Sequence, residues 1–206
     1  PLIKRRVPSG RGAMEQPNVT HDGEASLTLR FWIALIVTSS VTGLIGIFLM
    51  WVLKNFETLA FHYHSGDYST AVAATSPIRR IAMLTVAGIV GGLGWYLIRR
   101  FFQNEKAEID DAIWNGDGEL GIRRSFLTGT LSEIVIGLGA SIGREAAPKL
   151  LGGASGSWLA HRFNLTSEQK RLLVACAGGA GFACVYNVPL GGAIFTADLS
   201  TSATGN

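Results

Sequence analysis

Charge is scarce in this sequence. Only 16% of its 206 residues are Asp, Glu, Lys or Arg, well under the quarter or so (about 25%) that a soluble domain usually carries. Cysteine is scarcer still. Cys176 and Cys184 both lie in apolar runs, eight residues apart in a predicted helix. That is too far for a disulfide, so both read as buried free thiols. The four histidines have no zinc spacing. His62 and His64 alternate in a polar stretch and read as solvated, so neither a metal site nor a cofactor follows. No phosphate-binding loop or complete dinucleotide fingerprint occurs. Gly139-Ala140-Ser141-Ile142-Gly143 has the spacing of a hydrolase nucleophile elbow. That motif needs a preceding strand and then Asp before His, whereas here His161 precedes Asp198. Nothing points to an enzyme.

Hydrophobic residues and glycine are abundant, at 48% and 26 residues. The glycines have no collagen period and lie within apolar segments, as in closely packed membrane helices. Phe31–Leu53 is 23 residues without a charge, about 35 Å of helix and enough to cross a bilayer core of about 30 Å. Thr38, Ser39, Ser40 and Thr42 lie inside it. Their hydroxyls can bond back to the helix or to a neighbour. Residues 54–80 read as a loop with a short helix. Ile81–Ile98 is a second charge-free run, stopped by Arg99 and Arg100. The expected fold is an all-helical, multi-pass membrane protein.

Residues 1–29 have no hydrophobic period and read as a disordered tail. The tail holds Lys4, Arg5, Arg6 and Arg11. No aromatic-interleaved basic surface accompanies them, so they signal a cytoplasmic N-terminus rather than a nucleic-acid partner. Glu108, Asp110 and Asp111 read as a solvated surface.

Two further runs are broken. Ile134–Leu159 is apolar except for Arg144, Glu145 and Lys149 and contains six glycines. Leu172–Ala197 is 26 residues without a charge, interrupted by Asn187-Val188-Pro189. Both read as half-helices breaking at membrane depth, the best sequence pointer to a transport site. A Glu there costs about 2.5 kcal/mol or more if charged. The bland account is an Arg144–Glu145 pair that only stabilises the bundle, although adjacent helical residues do not face one another. The functional account starts from Ala146, Ala147 and Pro148 as the first turn of a helix. Its free amides and dipole would face Gly143, Arg144 and Glu145 as an anion site, with Glu145 as a tethered anion at its mouth.

At these residues a family becomes visible. Gly143-Arg144-Glu145 followed by Leu151-Gly152-Gly153 resembles the GREGP-x-x-x-LGG signature of the CLC chloride channels and chloride/proton antiporters. Tyr186-Asn187-Val188-Pro189-Leu190-Gly191-Gly192-Ala193-Ile194-Phe195 resembles that family's FNAPLAGILF stretch, and Ala177–Gly181 its preceding small-residue run. The resemblance covers 30–199, as the first of two inverted repeats, with 200–206 as a truncated end. It implies a multi-pass protein of the cell membrane, a homodimer in the lipid bilayer, carrying chloride or a similar small anion as a voltage-gated channel or antiporter. It makes Glu145 the external gating glutamate, with Arg144 as its support and Gly143, Ala146 and Ala147 bordering the anion.

The sequence departs from the pattern at three places. The family's Pro two positions after the gating Glu is Ala147 here, with Pro at 148. The upstream GSGIP motif is missing. Aligning Glu108–Ile113 with the helix that follows that motif puts Asn104 on its chloride-coordinating Ser, making Asn104 a candidate anion contact. The family's intracellular proton-relay Glu falls at Leu199, beside Asp198. The alternative is a non-conducting membrane interaction protein on the same scaffold, associating through small faces such as Gly152-x-x-x-Gly156.

Overall fold

A computed structural model describes residues 28–63, 66–103 and 119–204, with side chains as far as Asp198. The described residues form seven helices: α1 (Leu29–Phe61), α2 (Tyr68–Ala74), α3 (Pro77–Phe101), α4 (Ile122–Gly137), α5 (Ala146–Arg162), α6 (Ser167–Tyr186) and α7 (Pro189–Thr204). The basic tail at residues 1–27, His64, Asn104 and the acidic run Glu108, Asp110 and Asp111 lie outside them.

Helix α1 is 33 residues, about 50 Å long. It therefore runs two turns past the expected end at Leu53. The continuation through Lys54 and Glu57 reads as loop in the sequence because it is charged. Leu53, Phe56, Ala60 and Phe61 keep the helical apolar period there, and Phe56, Ala60 and Phe61 pack toward α3 and α4. Helix α3 starts at Pro77 rather than Ile81. Pro77 occupies its first turn, and Ser76 caps it by accepting from the Arg79 amide. The short helix expected in this region is α2, capped by Asp67. Hydrogen bonds from the Ser69 hydroxyl and amide hold the Asp67 carboxyl below the usual carboxylate range.

Helices α1 and α3 have mean hydropathies of 2.2 and 1.9 over their most apolar windows, of which only 28% and 17% is buried. A soluble core helix would bury most of that surface. Here Leu44, Ile47, Ile81 and Ile89 point outward. Trp32 and Trp51 are both exposed on α1. Their 19-residue separation spans about 28 Å, the thickness of a hydrocarbon core whose borders favour tryptophan. The hydroxyls inside α1 are mostly satisfied: Ser39 and Ser40 donate to the carbonyls of Leu35 and Ile36, and Thr42 meets Ser155 Oγ of α5 at 3.2 Å. Thr38 Oγ1 is buried without a partner.

Helices α5 and α6 form an antiparallel pair packed backbone to backbone. A Cβ on Gly152 would overlap the Ala177 carbonyl, one on Gly181 would overlap the Pro148 carbonyl, and one on Gly156 would lie 3.1 Å from the Leu173 carbonyl. The Gly152-x-x-x-Gly156 face is thus consumed inside the bundle. It is not left outward for association with another protein. The connection is fixed by a capping box, Thr166 with Gln169, at the start of α6. Cys184 is exposed and Cys176 half-buried, so the expectation of two buried thiols fails for Cys184.

Gly181→Val should cost about 1–3 kcal/mol through overpacking and lower the unfolding temperature in detergent. Gly88→Ala, where an added Cβ meets nothing within 4 Å, should be neutral or slightly stabilising. Equal effects would contradict the close α5–α6 packing.

Candidate functional site

Both expected breaks are present, and they come together. Helix α4 ends at Gly137. Gly139, at φ +107, donates to the Ile136 carbonyl at 2.8 Å, and Ala140 donates to the Val135 carbonyl at 3.2 Å. This is a Schellman stop, which needs a residue without a Cβ penalty in the left-handed region. The preceding element is a helix, which removes the hydrolase elbow at Gly139–Gly143. Helix α6 ends at Asn187, also left-handed at φ 53, and the Val188 amide closes on the Ala183 carbonyl. Pro189 then opens α7.

Because α5 and α6 are antiparallel, the start of α5 lies beside the end of α6. Leu49 of α1 packs against Ala147 and Leu151. Arg144 of the break reaches Glu57, six residues past Trp51 on α1, so the break lies level with the Trp51 border of the apolar slab. At the start of α5, Lys149 N–H bonds the Glu145 carbonyl at 3.2 Å, and Pro148 has no N–H. The amides of Ala146 and Ala147 are left as the free donors of this terminus. Ala146 is exposed, and Ala147 is buried against Gly129.

Glu145 is the residue immediately before α5. Its carboxylate folds back on Gly143: a Cβ there would come within 2.7 Å of Oε1, and Gly143 is itself at φ +88. Only glycine meets both demands. The carboxylate faces the backbone amides of Glu145 and Arg144 and the Lys149 ammonium. Tyr186 at the end of α6 donates its hydroxyl to Oε2 at 2.9 Å. An anionic group thus lies at a helix N-terminus, bridged to the second break.

Arg144 turns the other way. Its Nη2 donates to Glu57 Oε1 at 3.0 Å, and its guanidinium stands 5.7 Å from the centre of the Tyr68 ring. The bland Arg144–Glu145 pair is therefore not formed. Arg144 anchors the α4–α5 loop to α1 and α2 instead. Glu57 is 3% exposed, and Glu133 of α4 is 1% exposed. Sequence reasoning missed both: Glu57 lay in the stretch read as loop, and Glu133 directly precedes the apolar run counted from Ile134. The usable signal for each was a charged residue flanked on both sides by helical apolar spacing.

The architecture is that of a membrane bundle whose central helices break in pairs. A family model described as voltage gated chloride channel matches residues 88–203, more than half the sequence. A voltage-gated ClC-type chloride channel ClcB of Yersinia pseudotuberculosis is 30% identical over 171 residues, covering 80% of this chain and 41% of that protein. An Escherichia coli protein of the same name is 32% identical over 146 residues, covering 69% and 34%. A solved slow cyanobacterial Cl-/H+ antiporter shares the fold, with a TM-score of 0.59 at 20% identity over 88% of this chain and 48% of that one. The chain belongs to the voltage-gated chloride channel (CLC) family. It spans about two-fifths of the length of the Yersinia relative.

The Arg144–Glu57 pair yields an asymmetric prediction. Arg144→Gln strands an almost fully buried carboxylate and should cost about 3 kcal/mol. Glu57→Gln leaves a guanidinium that is 41% exposed and able to take water, and should cost clearly less. Denaturant unfolding of both variants in detergent checks this. Equal, small losses would show that the pair does not hold the loop.

Proposed function

We propose that the protein serves transmembrane movement of chloride or a similar small anion, with Glu145 as the gate at the N-terminus of α5. The observation that carries this reading is the seat of the Glu145 carboxylate. It lies against backbone amides at a helix break at the border of the apolar slab, where a free anion would be stabilised by the same donors and dipole. Gly143, Ala146 and Ala147 border that seat, and Arg144 supports it from behind. Asn104 keeps its place in the proposal through the family resemblance alone. The anion, the homodimer and the cell membrane belong to the same reading and rest on family membership.

The gate works by charge. Ionised Glu145 occupies the anion seat and accepts from Tyr186. Protonation removes the charge that the amides favour, so the side chain leaves and a free anion enters. Anion flux should therefore rise as external pH falls. Glu145→Gln lacks the charge at every pH, and its flux should be independent of external pH over the range where wild type responds. The assay is chloride flux from liposomes containing the complete gene product. Well-folded Glu145→Gln that keeps the wild-type pH response would end the gating proposal.

A further inference from the structure

Behind the gate loop lies a second set of titratable groups that the gate does not use. Along α4, Gly129, Glu133 and Gly137 are spaced four residues apart and share one face. A Cβ on Gly129 would strike Leu151 of α5, and one on Gly137 would lie 2.7 Å from Phe56 and 3.1 Å from the Leu53 carbonyl of α1. Glu133 therefore sits where α1, α4 and α5 meet, 1% exposed. Its Oε2 is buried without a hydrogen-bond partner.

The charged groups that face Glu133 are Arg144, from the α4–α5 loop, and Glu57, from α1. Behind them stand Tyr68 of α2, which interacts with Glu57 and Arg144, and Lys54, which interacts with Glu57. Helix α3 meets α4 through apolar residues, Gly91 on Val135 and Gly94 on Leu131, with Ala87 and Met83 in the same cluster. Two carboxylates thus look toward one guanidinium. Arg144 serves Glu57 at 3.0 Å. With both acids ionised, the trio carries a net negative charge, and Glu133 is left as a buried anion whose Oε2 has no donor. Such an arrangement is unfavourable, because a desolvated charge is not compensated by its own donor. With one proton on Glu133, the trio is neutral and only an acid hydroxyl is buried.

We propose that Glu133 is a proton-binding site, occupied while Arg144 pairs with Glu57. The exchange balances simply. The Glu133 O–H bond breaks, its proton passes to water reached past the half-exposed Arg144 guanidinium, and the carboxylate left behind takes a share of the remaining Arg144 donors. Arg144 is the residue before Glu145. Loss of that proton therefore pulls on the loop at residues 138–145. Proton occupancy at Glu133 and the placement of that loop are linked through one guanidinium. The inference holds whether or not Glu145 gates an anion.

The test uses the full chain in detergent and the variant Glu133→Gln, which mimics the shape and charge of the protonated acid. Infrared difference spectra between wild type and variant at neutral pH should show the carbonyl band of a protonated carboxylic acid, present only in wild type. Carboxylate bands in its place overturn the site. Amide hydrogen exchange at 138–145 should change across the pH range in which that band disappears in wild type, and stay flat in Glu133→Gln. The same pH profile in both proteins overturns the linkage to the loop. A Glu133→Gln protein that fails to fold is the outcome expected of a buried ion pair deprived of one partner, and it overturns the proton site too. No readout depends on anion flux, so failure of the gating proposal leaves these outcomes unchanged.

Discussion

A peptide group packed between helices at the border of an apolar slab has little water to meet, so a backbone that stops being helical there must find its partners inside the protein. That constraint organises this molecule. Helix α4 stops at a Schellman turn on Gly139, and α6 stops on left-handed Asn187. The carbonyl ends are closed by the chain itself. The amide ends cannot be closed the same way, because the first turn of α5 has no preceding helical carbonyls to meet. Polar capacity is therefore left at one place, where the Glu145 carboxylate and the Tyr186 hydroxyl converge.

The close approach of α5 and α6 brings the two breaks to one level. Glycine at 152, 156 and 181 lets backbone meet backbone, so the start of one helix and the end of the other lie side by side. Arg144 and Glu145 then diverge, although they are adjacent in sequence. Arg144 reaches the extension of α1 through Glu57, and Glu145 reaches the end of α6 through Tyr186. One dipeptide ties the loop to two different helices, which gives the carboxylate a defined seat.

Much of this was legible before any coordinates. Charge-free runs gave α1 and α3, and glycine and Asn-Val-Pro interruptions gave both breaks. The Gly-Arg-Glu and Asn-Val-Pro-Leu-Gly-Gly patterns gave the family. What stayed hidden has physical causes. Charge marks loops on average, but Lys54 and Glu57 lie on a helix whose apolar face continues to Phe61. A tertiary ion pair across 87 residues leaves no local trace, so the partner of Arg144 could not be read from spacing. The outward or inward aim of Gly152 and Gly156 depends on which helix packs there, and periodicity does not say. The Tyr186 hydroxyl stands where the family stretch has Phe, and its bond to Glu145 needs the antiparallel geometry to be seen.

The central claim is that the start of α5 is an anion seat which Glu145 fills. The most direct measurement is anomalous diffraction from crystals of the complete gene product carrying Glu145→Ala, grown in bromide. The account predicts a bromide peak beside the amides of Arg144 and Glu145, in the place vacated by the carboxylate, and no such peak in wild type at neutral pH. A well-ordered variant with no anion at that terminus in saturating bromide would contradict it.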